Sequence, residues 1–171
     1  EGDLTTALRA FEQAIALKPQ EATMLASLHF YIGTMLPKVR GLETGVLSDA
    51  IDHFTQALTL KPEWVENVLY NRGTMYLGRG LLSPDERADL DAAIADLSTV
   101  VTRQPEGVLP LLNRGIALYQ RRDEGDVAAA IADFTRAITL APDDYRGYYH
   151  RGLAQIRAGG ATAGRRPAAG R

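Results

Sequence analysis

Residues 68–76 read VLYNRGTMY, and nearly the same phrase returns as LLNRGIALY at 111–119 and as YYHRGLAQI at 148–156. A catalytic constellation is assembled once, whereas a phrase written three times is architecture. Between the phrases runs a second pattern: Ala, a large apolar residue four on, a small one three further, and Pro five beyond that. It reads Ala50, Phe54, Ala57, Pro62; then Ala93, Leu97, Val100, Pro105; then Ala130, Phe134, Ala137, Pro142. It also stands once ahead of any phrase, as Ala7, Phe11, Ala14, Pro19. Spacings of four and three put side chains on one helical face. Proline disfavours the α conformation in the residue before it, so each set predicts a helix that ends at its proline. Acidic residues open the next segments: Glu21, Glu63, Glu106, and Asp143 with Asp144. There they meet the positive end of a helix dipole. The chain thus alternates an A helix bearing the glycine phrase with a B helix bearing the alanine pattern, and shows almost nothing strand-like.

Composition narrows the function classes. The 171 residues are 46% hydrophobic and 23% charged, as expected of a soluble globular domain or a short solenoid. A net charge of −2 speaks against a general nucleic-acid binder, which needs a basic surface to neutralise phosphates. No apolar run approaches the length that spans a bilayer. With no cysteine there is no disulfide, thiolate metal site or Cys nucleophile, which suits a reducing, cytoplasmic setting.

The alternation resembles the tetratricopeptide repeat family. That family's signature sets an aromatic residue, Leu-Gly and Tyr ahead of Ala-x3-Phe and Pro, on a period of about 34 residues. Tyr70, Arg72, Gly73 and Tyr76, followed by Ala93, Leu97 and Pro105, match it best, and the likeness covers roughly residues 2–158. The resemblance implies an all-α, right-handed helical solenoid of antiparallel helix pairs. Its expected parts are a partial repeat 1–19, repeats 20–62, 63–105 and 106–142, and a partial repeat 143–158. The Gly/Ala-rich, basic stretch 159–171 is expected to be a disordered tail. The prolines stand 43, 43 and 37 residues apart, and the surplus lies between glycine and alanine. Lys38 to Val46 is expected to be a loop. Ser83-Pro84-Asp85-Glu86 is expected as a capping box that starts its B helix about two turns early.

A turn of about 100° per residue divides each A helix into two faces. In the third repeat Leu69, Arg72, Gly73 and Tyr76 should pack on the B helix, with glycine allowing close approach. The opposite face holds Asn67, Tyr70, Asn71, Thr74 and Leu77. In the fourth repeat it holds Leu109, Leu112, Asn113, Ile116 and Tyr119, and in the fifth Arg146, Tyr149, His150, Leu153 and Ile156. The resemblance implies that this face lines a concave groove for an extended peptide or a helix. The expected contact residues are Asn67, Tyr70, Asn71, Thr74, Asn113, Tyr119, Arg146, Tyr149 and His150. An asparagine amide both donates and accepts, which suits reading a peptide backbone, and tyrosine offers an apolar body with a polar tip. Chaperone adaptors of this family grip a terminal carboxylate with Lys and Asn, then Asn, then Lys and Arg. Here those positions hold Tyr70 and Thr74, Asn113, and Arg146 and His150, so no such clamp is expected.

Arg72, Arg114 and Arg151 precede the glycines, on the packing face. Asp96 and Asp133 stand three residues after their key alanines; where Ile32 replaces the arginine, His53 replaces the aspartate. This pattern predicts an Arg–Asp ion pair inside each repeat, since a partly buried guanidinium needs an acceptor.

Catalytic chemistry is not visible. His29, His53 and His150 lie in different repeats without ligand spacing, and Gly78-Arg79-Gly80 reads as a helix end. No metal, cofactor or catalytic residue is expected. The expected function is a non-enzymatic scaffold that binds another protein or peptide segment, with neither nucleic acid nor membrane as partner. The alternative is the repeat segment of a larger multidomain enzyme or signalling protein. Leu4, Leu8, Phe11 and Ile15 at one end, and Tyr148, Tyr149, Leu153 and Ile156 at the other, are expected as uncovered stripes that favour self-association.

Overall fold

A computed structural model of the chain describes residues 2–83 and 87–164. They form α1 (Gly2–Ala16), α2 (Ala22–Arg40), α3 (Thr44–Leu60), α4 (Val65–Leu82), α5 (Arg87–Arg103), α6 (Val108–Arg121), α7 (Asp126–Leu140) and α8 (Tyr145–Gly164). One turn of 3-10 helix, Pro62–Trp64, leads into α4. The described residues contain no strand. This is an all-α, TPR-like solenoid fold of paired antiparallel helices: α2, α4, α6 and α8 carry the glycine phrase, and α1, α3, α5 and α7 the alanine pattern. The chain divides into two compact units, Glu1–Pro105 with α1 to α5 and Glu106–Arg171 with α6 to α8.

Two of the prolines stand directly after a helix end, as expected. Lys61 and Ala141 leave the helical region, at φ −138° and −140°, where Pro62 and Pro142 follow them. In the first unit the core gathers on Phe54 of α3, with Leu8, Ile32, Leu36, Ala57 and Val68 around it. Its ring lies under Gly33, where a Cβ would stand 3.0 Å away. Burying such a ring contributes about 2–3 kcal/mol. In the second unit Phe134 of α7 fills the same place beneath Gly115, where a Cβ would come within 2.5 Å of the ring. Leu111, Ala137 and Ala154 complete that core.

Several expectations change. Lys38–Val46 is not one loop: α2 runs on to Arg40 and α3 begins at Thr44, so only Gly41–Glu43 connect them, with Gly41 at φ +90°. The surplus residues therefore lengthen both helices. Gly78-Arg79-Gly80 lies inside α4, which ends at Leu82. Ser83 is the C-cap of α4, and the rest of the expected capping box, residues 84–86, lies outside the described residues. The described part of α5 opens at Arg87, six residues before Ala93, just as Thr44 stands six before Ala50. At the N-terminal end, Leu8 is buried, and Phe11 and Ile15 pack against the core, so only Leu4 of that stripe stays exposed. The reason is α2, which covers this side of α1. At the other end α8 continues to Gly164, so residues 159–164 extend the helix, and 165–171 lie outside the described residues.

Candidate partner-binding surface and the arginine ladder

The packing face carries more charge than one pair per repeat. In the first unit Arg72 holds Asp96 in a fork, Nε to Oδ2 at 2.8 Å and Nη2 to Oδ1 at 2.9 Å. Seven residues on, Arg79 holds Asp89 in the same way, at 2.7 and 2.5 Å. Each guanidinium spends a third N–H on α3: Arg72 on the Thr55 hydroxyl at 3.2 Å, Arg79 on the Ser48 hydroxyl at 2.8 Å. Those hydroxyls donate onward to the Ile51 and Thr44 carbonyls, so each both accepts and donates one hydrogen bond. Tyr76 lies between the rungs, its ring centre 5.9 Å from one guanidinium and 5.6 Å from the other. The Asp96 hydrogen bond pushes Arg72 above its ordinary pKa, against the pull of burial.

The second unit repeats the arrangement. Arg114 forks onto Asp133 at 2.8 and 2.6 Å, and Arg121 onto Asp126 at 2.9 and 2.7 Å. In both hairpins the rungs are seven residues apart on each helix and run in opposite directions along the chain, as an antiparallel register demands. The expected pairs exist, and a second tier exists beside them.

The α2/α3 hairpin has no such rungs. Ile32 and Val39 occupy the arginine positions, His53 and Val46 the aspartate positions. His53 does not pair with Ile32; it meets His29 one turn away, Nδ1 to Nδ1 at 2.9 Å. Only one of these two nitrogens carries the hydrogen. Burial lowers the pKa of both rings, and the neighbouring His53 lowers His29 further. Asp49, Asp52 and Glu12 pull His53 the other way, and Arg40 adds to the lowering. Among the described residues no group of three metal-ligating side chains forms, here or elsewhere.

On the opposite face, the first unit presents two cavities between α2 and α4. One, of about 190 Å³, is lined by Ser27, Phe30, Tyr31, Trp64 and Asn67. The other, of about 400 Å³, is lined by Thr34, Pro37, Lys38, Leu42, Asn71 and Met75. Asn67 lines the first cavity and Asn71 the second, with Tyr70 and Thr74 half-buried beside them. Asn71 donates its amide N–H to the Asn67 carbonyl at 2.8 Å, and Thr74 its hydroxyl to the Tyr70 carbonyl at 2.8 Å. The α2 residues were missing from the sequence expectation. Ser27, Phe30, Tyr31 and Thr34 stand six, three and two before Gly33 and one after it, the offsets already used for the other A helices. Leu77 and Leu112, expected on this face, are buried at 5% and 3% exposure.

In the second unit, several expected contact residues are occupied within the chain. The Arg157 guanidinium lies 3.4 Å over the Tyr119 ring and donates to the Tyr119 carbonyl. Arg146 is forked onto Asp144, which also accepts the Arg146 backbone N–H at 3.0 Å and so caps α8. His150 stacks on Phe134 at 5.5 Å, and burial lowers its pKa. Asn113 is half-buried, and Tyr149 is exposed.

Comparison with known proteins agrees with this geometry. A tetratricopeptide repeat family model matches residues 121–169. No curated protein is detectably similar to the chain in sequence. Among solved structures, MamA from Desulfovibrio magneticus RS-1 (residues 41 to the end) superposes with a TM-score of 0.71 at 19% identity, over 92% of this chain and 77% of that one. A second MamA crystal structure gives 0.70 at 20% identity, over 92% and 80%. The first TPR domain of Spaghetti (RPAP3), bound to the HSP90 peptide SRMEEVD, gives 0.64 at 17% identity, over 80% and 95%. At these identities the likeness establishes the fold: a TPR-like repeat domain. Among the described residues no helix is long and apolar enough to cross a membrane.

Proposed function

We propose that this protein is a non-enzymatic scaffold that binds a segment of another protein along the α2/α4 face of its first unit. The observation that carries this reading is the pair of adjoining cavities. Their α2 walls, Ser27 and Thr34, are seven residues apart, a rise of about 10 Å, enough to seat two anchor side chains of one segment. One cavity is aromatic with amide and hydroxyl groups at its edge, and the other is apolar with Lys38 beside it. Asn67 and Asn71 supply backbone-reading groups, and Tyr70 and Thr74 flank them. The peptide-bound TPR domain of Spaghetti supports a peptide as ligand for this kind of fold. The terminal-carboxylate clamp is not part of the proposal, because Tyr70 and Thr74 stand where its first Lys and Asn would be. In the second unit, Asn113 and Tyr149 are proposed as contacts of the same kind; Tyr119, Arg146 and His150 would first have to leave their present partners.

Affinity capture from source lysate tests the reading. Tyr31→Ala with Asn71→Ala should lower recovery of the main captured protein about tenfold, the loss of one good contact. The melting temperature should hold within about 2 °C, as for surface substitutions. Undiminished capture, or a loss that tracks unfolding, would refute it.

A further inference from the structure

Arginine and tyrosine meet repeatedly in this molecule. Tyr76 lies beneath Arg72 and Arg79, Tyr119 beneath Arg157 and Tyr148 beneath Arg151, each guanidinium 3.4–5.9 Å from the ring centre. The smaller cavity of the α2/α4 face is built from the same kind of ring without such a cover. Phe30 and Tyr31 of α2 and Trp64 of the 3-10 turn line it, together with Ser27 and Asn67. The α2 rings are fixed by their neighbours: Tyr31 stacks on Phe11 of α1 at 5.6 Å, and Phe30 meets Phe54 of α3 edge-on at 5.9 Å. Among the described residues no cation lies over any of the three rings. None lines the cavity either, whereas Lys38 lines the adjoining one. Two acceptors are available there. Ser27 donates its hydroxyl to the Thr23 carbonyl at 2.9 Å and keeps its lone pairs, and the Asn67 side chain bonds to no described residue.

We infer that this cavity takes the side chain of an arginine carried by the bound protein segment, an inference that rests on the α2/α4 reading above. A π surface attracts a cation, and more strongly as water is excluded. The guanidinium suits this wall best. It is planar, weakly hydrated and able to stack, and its N–H groups can reach the Asn67 carbonyl and Ser27 hydroxyl oxygens. A lysine ammonium holds its water more tightly, and no carboxylate lines the cavity to replace that water. A quaternary ammonium has no N–H for the two acceptors. An acidic side chain would meet three aromatic rings with no cation to answer it. At about 190 Å³ the cavity is smaller than the roughly 300–1,000 Å³ that houses a drug-sized ligand, which suits a single side chain. Arg157 on Tyr119 shows the same contact inside this chain, a guanidinium over a ring while it donates to a carbonyl.

Trp64 is the chain's only tryptophan, so its emission reports on this cavity. The probe is the capped peptide acetyl-Gly-Gly-Arg-Gly-Gly-amide, titrated into the full chain beside its citrulline, lysine and trimethyllysine counterparts. Citrulline has the shape of arginine without the charge. The arginine peptide should shift the emission saturably, and the citrulline and lysine peptides should bind at least about fivefold more weakly, as for the loss of one cation–π contact. Tyr31→Leu should remove the preference for arginine over citrulline, and Tyr31→Phe, which keeps the ring, should retain it. No saturable shift with the arginine peptide overturns the inference. So does equal binding of the citrulline peptide, which would mean selection by shape alone, or tighter binding of the trimethyllysine peptide. Free arginine binding better than the peptide would overturn it in favour of a small-molecule site. The inference and the reading beneath it fail separately. Lysate capture that depends on Tyr31 and Asn71, beside a failed arginine titration, removes the arginine and keeps the scaffold. A saturable arginine titration beside failed capture removes the protein partner, and the inferred segment with it.

Discussion

In the α4/α5 hairpin the residue before the glycine and the one seven later are Arg72 and Arg79, answered across the interface by Asp96 and Asp89. In the α2/α3 hairpin the same four positions hold Ile32, Val39, His53 and Val46, and the only side-chain polar contact shown between those helices is His29 with His53. Both hairpins nevertheless keep a glycine over a large B-helix side chain, Gly33 over Phe54 and Gly73 over Leu97. The close approach at glycine therefore sets the pairing, and the ion pairs are laid onto a register that forms without them. A buried ion pair brings little net stability over apolar residues of like volume, but removing one partner is expensive.

The largest expected effect exploits that asymmetry. Asp96→Ala should cost about 3 kcal/mol in urea unfolding, because it leaves Arg72 half-buried with one hydroxyl partner. Arg72→Leu with Asp96→Leu, which imitates the α2/α3 hairpin, should cost less than the single change. If the double variant is the worse of the two, the comparison is wrong.

Next comes the glycine contact shared by all three hairpins. Gly115→Ala should cost about 2 kcal/mol, the usual penalty of overpacking, since its Cβ would fall into the Phe134 ring. Gly33→Ala should cost less, with 3.0 Å to the Phe54 ring instead of 2.5 Å to Phe134. Equal stability of Gly115→Ala and wild type by denaturant titration would remove glycine from its place in the comparison.

A pH titration separates the histidine hairpin from the other. Burial keeps His29 and His53 below the ordinary value, so the folded chain binds fewer protons than the unfolded one as pH drops below about 6.5. Stability should therefore be full above that pH and fall on acidification. His53→Leu should reduce the fall of the urea midpoint between pH 7 and 5.5, with His29 and His150 supplying the remainder. A midpoint in the wild type that rises on acidification contradicts the assignment.

The smallest effect is the coupling itself. A double-mutant cycle of Arg114→Leu and Asp133→Ala should give at least about 0.5 kcal/mol, as for residues in contact. Additive losses would mean that the fork contributes no coupling.

The helix order and the close approach of glycine to the B helix were legible because they rest on fixed spacings that repeat. The first tier of ion pairs was legible for the same reason, as Arg and Asp exchanged together between repeats. The second tier carried an equal signal, Arg79 with Asp89 and Arg121 with Asp126, each seven residues from the first. It lies outside the two-face division, which extends four residues past the glycine, whereas Arg79 and Arg121 stand six past it. The His29–His53 contact lies one turn off the frame, so no offset rule finds it. Leu77 and Leu112 were misplaced because a wheel with two faces is too simple: α4, for example, packs on both α3 and α5. Gly41–Glu43 was blurred into a longer loop because glycines at 41 and 45 suggested a break where only Gly41 takes a left-handed φ.

Arg72 and Arg79 of α4 each bond to both α3 and α5, and this has a mechanical consequence. α5 cannot peel away from α4 without stripping its aspartates from two guanidiniums that are also bonded to Thr55 and Ser48 of α3. Arrays of repeats melt as one body or piecemeal according to the coupling between neighbours relative to the stability of each repeat. The two arginines tie a B helix of one repeat to both helices of the next, so the unravelling step from α3 to α5 is three helices long, where a plain hairpin array would release two.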